Sequence, residues 1–542
     1  MNDSNIQSRS LGFFSFIRLQ KQHIIALIAS SSVLILLGYA SLVLRMHYST
    51  DSYHLIDNQQ AYWYLQNGRY TWWQLTMWLD QAGINLVLDQ RPLLVLAVIS
   101  FIFSLFSLTF IFAFKANLST LPSLLIVNLA LSLLFNNVFV EEFMLFPEVA
   151  VSAAVGFLFT TLAAGLIMVS NRWQNVIGSL VCLLIAIGCY QSLLGYYLAL
   201  VLIGGCLHTI SSESGHPIRD VMARWVSALA IAGVTGVFNI LIVKILIRQG
   251  VIVDPGRGAT TNIHVMMVNL VSLLKYQLKL WWNADGLMFP GMMTLLLIIV
   301  VGSIALAILM KTNISSCELI CAVALSYAAA FIVHVLERDI QLTPRSNMAF
   351  WAVQGCLLAT LLCSILSSTN NAGNRPIKNQ RIVNHTSDSA NSIFSQSILK
   401  YALTSLIAVF VILTSINMQD ISYDLYTSNA LDKDYALNVS TKIKDYEKKT
   451  GNRIDKIAIR EDSKPQEKYR STRYYNNQLG RRIMNVDYAN YQMINYLGGL
   501  NLQSTKFSDS VYNKYFKNQN WDTENLEQQL IFIKDTAYLV LY

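Results

Sequence analysis

The chain has 542 residues, of which 54% are hydrophobic and only 13% charged, with a formal net charge of +8 and a mean hydropathy of +0.42. Soluble proteins carry roughly 25% charged residues, so this composition excludes an ordinary soluble protein and predicts an α-helical polytopic membrane protein. The basic surplus is spread thinly and forms no dense stripe, which excludes a nucleic-acid binder. All seven cysteines lie in or beside apolar runs, so no disulfide framework is expected, and small thiols packed between helices account for them without a metal.

A membrane crossing needs about 20 apolar residues. Eleven runs are candidates: 24–44, 92–114, 121–140, 149–169, 176–189, 193–210, 225–247, 288–310, 319–336, 348–366 and 398–416. The first follows Arg9, Arg18 and Lys21, is long for a signal segment, lacks a clear cleavage site and reads as a retained span. Runs 176–189 and 193–210 barely suffice for a tight hairpin turning at Tyr190-Gln191-Ser192, and a re-entrant pair fits equally. Basic residues before the first span, and Arg375, Lys378, Arg381 and Lys400 before the last, place the N-terminus in the cytoplasm and the C-terminal region outside the membrane.

The longest early polar interruption, residues 48–91, is too polar to cross a bilayer. Its Tyr62, Trp63, Tyr64, Tyr70, Trp72, Trp73 and Trp78 are rings that settle where hydrocarbon meets headgroup, so the loop is expected to lie along the membrane surface. It also carries Asp51, Asp57, Asp80 and Asp89, with Arg45, Arg69 and Arg91 at its flanks and middle. Carboxylates and guanidiniums at that depth suit chemistry on lipid-borne substrates, and an interfacial helix with solvated charges would show the same composition.

Later interruptions add charge at span ends. Residues 141–148 read Glu141-Glu142-Phe143-Met144-Leu145-Phe146-Pro147-Glu148, three acids where charge is costly unless used or solvated. Glu148 also fits the first turn of a helix, where a negative charge is favoured. Lys275, Lys279, Arg338 and Arg345 lie in outer loops close to spans, with Lys275 and Lys279 on one helical face beside Trp281 and Trp282. Such cations suit a lipid phosphate, and snorkelling basic side chains are common there too.

Ser49-Thr50-Asp51-Ser52-Tyr53, followed by Asn67-Gly68-Arg69, resembles the first external loop of the bacterial O-antigen (serotype-converting) glucosyltransferases. Pro147-Glu148, Thr343-Pro344-Arg345-Ser346 and residues 423–443 are similar to that family as well. The resemblance implies a GT-C type inverting glycosyltransferase. It would move a hexosyl group, by the family a glucosyl group, from a polyprenyl-phosphate sugar to a lipid-linked polysaccharide acceptor such as the O antigen of lipopolysaccharide, in the bacterial inner membrane. It implies Asp51 as catalytic base and points to Arg69, Glu148 and Arg345 for substrate binding; Asp57, Glu142, Lys275, Lys279 and Arg338, charged and close to spans in the outer loops, are expected as substrate-binding residues as well. His47, Asp51 and His54 stand at helical spacing, but three ligands without a fourth are a weak metal signal; no cofactor is required and a divalent cation is left open. The other class to weigh is a transporter or flippase of lipid-linked glycans, which would show internal repeats and charges at mid-membrane.

Two domains are expected: residues 1–416, a membrane domain with external loop 45–91, and residues 417–542, a small extracytoplasmic α/β domain. Within the latter, 456–460 reads as a strand, 490–497 as a helix, and 530–534 with 537–541 as a hairpin around Asp535-Thr536. Tyr469, Tyr474, Tyr475, Tyr488, Tyr491 and Tyr496 could stack on sugars there. Residues 367–397, rich in Ser and Asn, read as a flexible linker.

Overall fold

Backbone N–H and C=O groups find no water inside a bilayer, so a long apolar run closes its hydrogen bonds on itself as a helix. The computed structural model describes residues 12–56, 62–211, 217–254, 256, 258–373, 386–461, 482–519 and 525–541. Among these residues nine helices are long and apolar enough to cross a membrane: Lys21–Leu44, Gln90–Ala116, Pro147–Val169, Leu193–Ile210, Ile218–Arg248, Met292–Leu309, Ser316–Val335, Ala349–Thr369 and Gln396–Thr450. The chain is therefore a multi-pass helical membrane protein.

The helices used below are α1 (Ile24–Leu44), α2 (Ser52–Leu55), α3 (Tyr70–Gln81), α4 (Gln90–Ala116), α5 (Leu121–Ser132), α6 (Val138–Leu145), α7 (Ala150–Val169), α8 (Trp173–Cys189), α9 (Leu193–Gly204), α10 (Pro217–Arg248), α11 (Ile263–Asn283), α12 (Met292–Leu309), α13 (Ser316–Ala330), α14 (Ala349–Gly373), α15 (Thr386–Thr450) and α16 (Asn490–Gly498). The span of α14 is buried along its length, and α9 packs between it and α13, so these two form the centre of the bundle.

Two of the eleven expected runs give helices shorter than a span. Run 121–140 breaks after Ser132, where the Asn137 side chain accepts hydrogen bonds from the Phe139 and Val140 N–H groups and restarts the chain as α6. All of α6 is buried. A broken helix at this depth is tolerated because neighbouring protein, not lipid, surrounds the break. Asn128 on α5 takes part in hydrogen bonds with Ser30, Ser31 and Thr109 on α1 and α4, which ties the short helix into the bundle. Run 176–189 becomes α8, 17 residues long, about 26 Å at 1.5 Å per residue.

Two further features depart from the linear reading. Residues 248–287, expected as an outer loop, contain the 21-residue helix α11; its lysines break apolar continuity but not helical periodicity. The last span does not stop at residue 416 either. Helix α15 continues unbroken to Thr450, so the boundary expected after Ile416 falls inside one helix. Part of the expected linker, residues 374–385, lies outside the described residues, as do Arg9, Asp57, Arg375, Lys378, Arg381, Tyr469, Tyr474 and Tyr475.

Beyond α15 the chain forms a small sheet of β1 (Lys456–Arg460), β2 (Gln503–Ser504), β3 (Leu530–Ile533) and β4 (Thr536–Val540) in the order β2-β1-β4-β3. β1 pairs in parallel with β2 and β4, while β3 and β4 form the expected hairpin. The hairpin turns at Lys534-Asp535, one residue earlier than expected, with Lys534 in the left-handed region at φ 56°. α16 confirms the expected helix and packs against α15. Arg482 and Asp432, both buried, pair at 2.7 Å and fasten this domain to the extended helix.

Candidate functional site

Three polar side chains from separate elements meet at the end of α1. Ser49 donates from its hydroxyl to Glu148 at 2.5 Å and Ser52 donates to the other Glu148 oxygen at 3.1 Å. Ser49 Oγ in turn accepts the Asp51 backbone N–H at 3.0 Å. The buried Glu148 thus holds both ends of the Ser49-Thr50-Asp51-Ser52 turn, and Asp51, only half-buried, projects into a cavity. His47 anchors the segment leading into this turn: its ring is buried, one ring nitrogen 2.8 Å from the Met144 carbonyl, and its backbone N–H donates to the Gln90 side-chain oxygen at 3.0 Å. Burial lowers its pKa below the usual imidazole value. Among the described residues no cluster of three His, Cys, Asp or Glu side chains is arranged to hold a metal.

The cavity is about 1190 Å³ and open to the outside of the bundle, larger than the roughly 300–1,000 Å³ of usual small-molecule sites. Its polar end holds Asp51, His54, Arg69, Tyr190, Arg345 and Tyr488. Its apolar walls are Leu229, Ala232, Val237 and Ile240 of α10, with Leu325 and Ala329 of α13 facing them. Gly233 and Gly236 also line it, and a Cβ at either would meet nothing within 4 Å, so the α10 wall is recessed there.

Arg69 reaches this place because Gly68 can adopt φ 72°, a conformation unfavourable for residues with a Cβ. The Gly68 carbonyl accepts from Asn239 of α10 at 2.9 Å, and the neighbouring Asn67 carbonyl accepts from Gln191 in the turn between α8 and α9. The Arg69 guanidinium then lies over the Tyr190 ring at 4.6 Å and the Trp72 ring at 5.3 Å. Its Nε is buried with no hydrogen-bond partner among the described residues. Burial lowers the Arg69 pKa, and the nearby Arg345 charge opposes it as well. A guanidinium in that state gains strongly from an anion.

Arg345 is placed by Glu142. One carboxylate oxygen accepts the Arg345 backbone N–H at 2.5 Å and the other lies 3.7 Å from its guanidinium, which rests 4.4 Å over the Phe146 ring. Burial pushes the Glu142 carboxyl up, and Arg345 draws it back down. Glu141 accepts from Ser422 on α15 at 2.9 Å. The three acids of residues 141–148 therefore face inward and hold other elements.

Of the residues expected at the site, the fold brings Asp51, Arg69 and Arg345 together at the polar end. Arg338 stands on the rim, 3.5 Å from Asp254. Glu142 and Glu148 are buried behind the cavity and reach it only through Arg345 and the Asp51 turn. Lys275 and Lys279 are exposed on α11 and do not line it. Asp57 lies outside the described residues. Sequence reasoning missed Tyr190 and Gln191 as site residues, although their polar turn between two apolar runs was the available signal. It also missed Gln492, whose amide lies 3.0 Å from His54 Nδ1.

No curated protein and no solved structure matches the chain. A family model described as Glucosyl transferase GtrII matches residues 40–358. That range takes in the Asp51 turn, Gly68-Arg69, Glu142, Glu148 and Arg345, while residues 423–443 fall beyond it. Spanning more than half of the chain and every residue named at the cavity's polar end except Tyr488, the match shows that this multi-pass membrane protein belongs to the GtrII glucosyl transferase family.

Proposed function

We propose that the protein transfers a glucosyl group with inversion from a polyprenyl phosphate to a lipid-linked cell-envelope polysaccharide such as O antigen, at the bacterial inner membrane, with its N-terminus cytoplasmic. The observation that carries this is one cavity with a carboxylate and two guanidiniums at its polar end and long apolar helix walls below. A phosphosugar head and its prenyl tail have that same division. Asp51 takes the proton of the acceptor hydroxyl as its oxygen attacks the anomeric carbon; the bond from that carbon to the phosphate oxygen breaks, and the polyprenyl phosphate leaves with the electron pair. Arg69 and Arg345 stabilise the charge gathering on the phosphate, where low local dielectric makes each contact count. Arg338 at the rim, and Asp57 of the sequence segment that also carries Asp51 and Arg69, are proposed to bind the sugars.

The domain after α15, placed outside the cytoplasm, is proposed to select the acceptor, because α16 stands over the Asp51 turn. Tyr53 and Tyr496 rings lie 5.8 Å apart across this contact. Purified protein should transfer from undecaprenyl phosphate glucose and not from the nucleotide sugar alone. Asp51→Asn should lower the rate by roughly 10²–10⁴-fold, and Arg69→Gln should raise the donor KM, with membrane insertion intact. Transfer from a nucleotide sugar without lipid carrier, or normal rates in Asp51→Asn, would overturn the reading.

A further inference from the structure

We propose that α11 is an in-plane membrane helix that docks on anionic phospholipid and sets the height of the cavity mouth. Its residues sort into separate stripes. Asn269, Leu273, Tyr276 and Leu280 are buried against the protein. Ile263, Met267, Val271, Leu274, Leu278 and Trp282 are exposed, spaced four, four, three, four and four residues apart, with Leu278 at 72% and Trp282 at 83%. This spacing draws one apolar line along an α-helix, and a line of six large side chains open to water would be costly.

Lipid is the occupant for three reasons. α11 is tied at one end to α10 and at the other to α12, both membrane spans, so it stays close to the bilayer surface. Lys275 and Lys279 sit roughly a quarter-turn round from the apolar line, on the flank between it and the protein-facing stripe, where headgroup phosphates lie when that line faces acyl chains. α11 carries no carboxylate to oppose them, and it ends in Trp281-Trp282, side chains that favour the interface.

The helix is joined to the cavity rim as well. Asn269 donates to the Glu337 carbonyl at 2.7 Å and to the Val335 carbonyl at 3.3 Å. The next residue, Arg338, donates its N–H to Gly258 at 3.0 Å, and Thr260 donates to Leu336 at 2.7 Å. The depth of α11 in the bilayer therefore fixes the level of the Arg338 and Asp254 rim. This inference needs no assumption about donor, acceptor or catalytic residue.

Leu278→Cys, in full-length protein with the exposed Cys317 and Cys321 changed to serine, can be labelled with an environment-sensitive fluorophore and reconstituted. In phosphatidylcholine vesicles containing phosphatidylglycerol, brominated lipid should quench the label several-fold more than aqueous iodide, with the same shallow depth for a label at Ile263. Pure phosphatidylcholine should give a redder emission, and Lys275→Glu with Lys279→Glu should abolish that lipid dependence. Efficient iodide quenching, a deep label at one end and a shallow one at the other, or shielding from both quenchers that varies with protein concentration, as a second copy would produce, overturns the proposal. Equal emission in the two vesicle types overturns the anionic preference.

Discussion

The Tyr488 hydroxyl donates to Asp51 Oδ1 at 2.7 Å, across 437 residues of sequence. A side chain of the C-terminal domain thereby touches the carboxylate proposed as base. Removing the hydroxyl in Tyr488→Phe takes away one hydrogen bond to a charged group, roughly 1.5–3 kcal/mol. Transfer to polysaccharide should fall at least about tenfold, read as initial rate against acceptor concentration. Unchanged rates would show that the contact plays no part in turnover.

Glu148 holds the Asp51 turn through Ser49 and Ser52, beside the direct repulsion between the two carboxylates, so its hold on the turn should be shared with the serines. Glu148→Gln loses one acceptor for these hydroxyls and should lower kcat by about tenfold with donor KM nearly constant. Adding Ser49→Ala should cost little more, since residues in one hydrogen-bond network couple. Additive losses in the double variant would mean that Glu148 works by another route.

Gly68→Ala tests how Arg69 is held. An alanine at φ 72° is strained by roughly 1–2 kcal/mol, and its Cβ would stand 2.9 Å from Asn239 Oδ1. The turn must shift away from α10 and take Arg69 with it, so donor KM should rise several-fold. Wild-type donor KM would rule out the Gly68 turn as the device that places Arg69.

The buried Arg482–Asp432 pair should decide whether the C-terminal domain stays seated. Asp432→Ala removes the carboxylate that pairs with Arg482 Nε and accepts the Met484 N–H, a loss of about 3–5 kcal/mol for one side of a buried pair. Limited proteolysis should then cut beyond Thr450 far faster while the membrane helices remain protected. An unchanged digestion pattern would show that the domain is held by other contacts.

Much of the architecture was legible locally. Apolar runs named the helices, because each must satisfy its own backbone within lipid, and each of the eleven contains a helix, broken within run 121–140. The strand at 456–460, the helix at 490–497 and the closing hairpin followed from period and turn residues. The Ser49–Tyr53 and Gly68-Arg69 motifs pointed to the family that matches residues 40–358.

What tertiary structure decided is which polar groups meet. Linear pattern says that Glu142, Glu148 and Arg345 sit at span ends, but not that the two acids turn inward while the guanidinium faces a cavity; burial of a charge depends on partners far away in sequence, here Arg345 at 203 residues from Glu142 and Ser49 at 99 from Glu148. The break at Asn137 and the continuation of α15 past residue 416 depend likewise on neighbours that cover or support the backbone. α11 escaped notice because its apolar line is drawn on only one side of a helix, and that line has meaning only once its opposite side is packed on the protein.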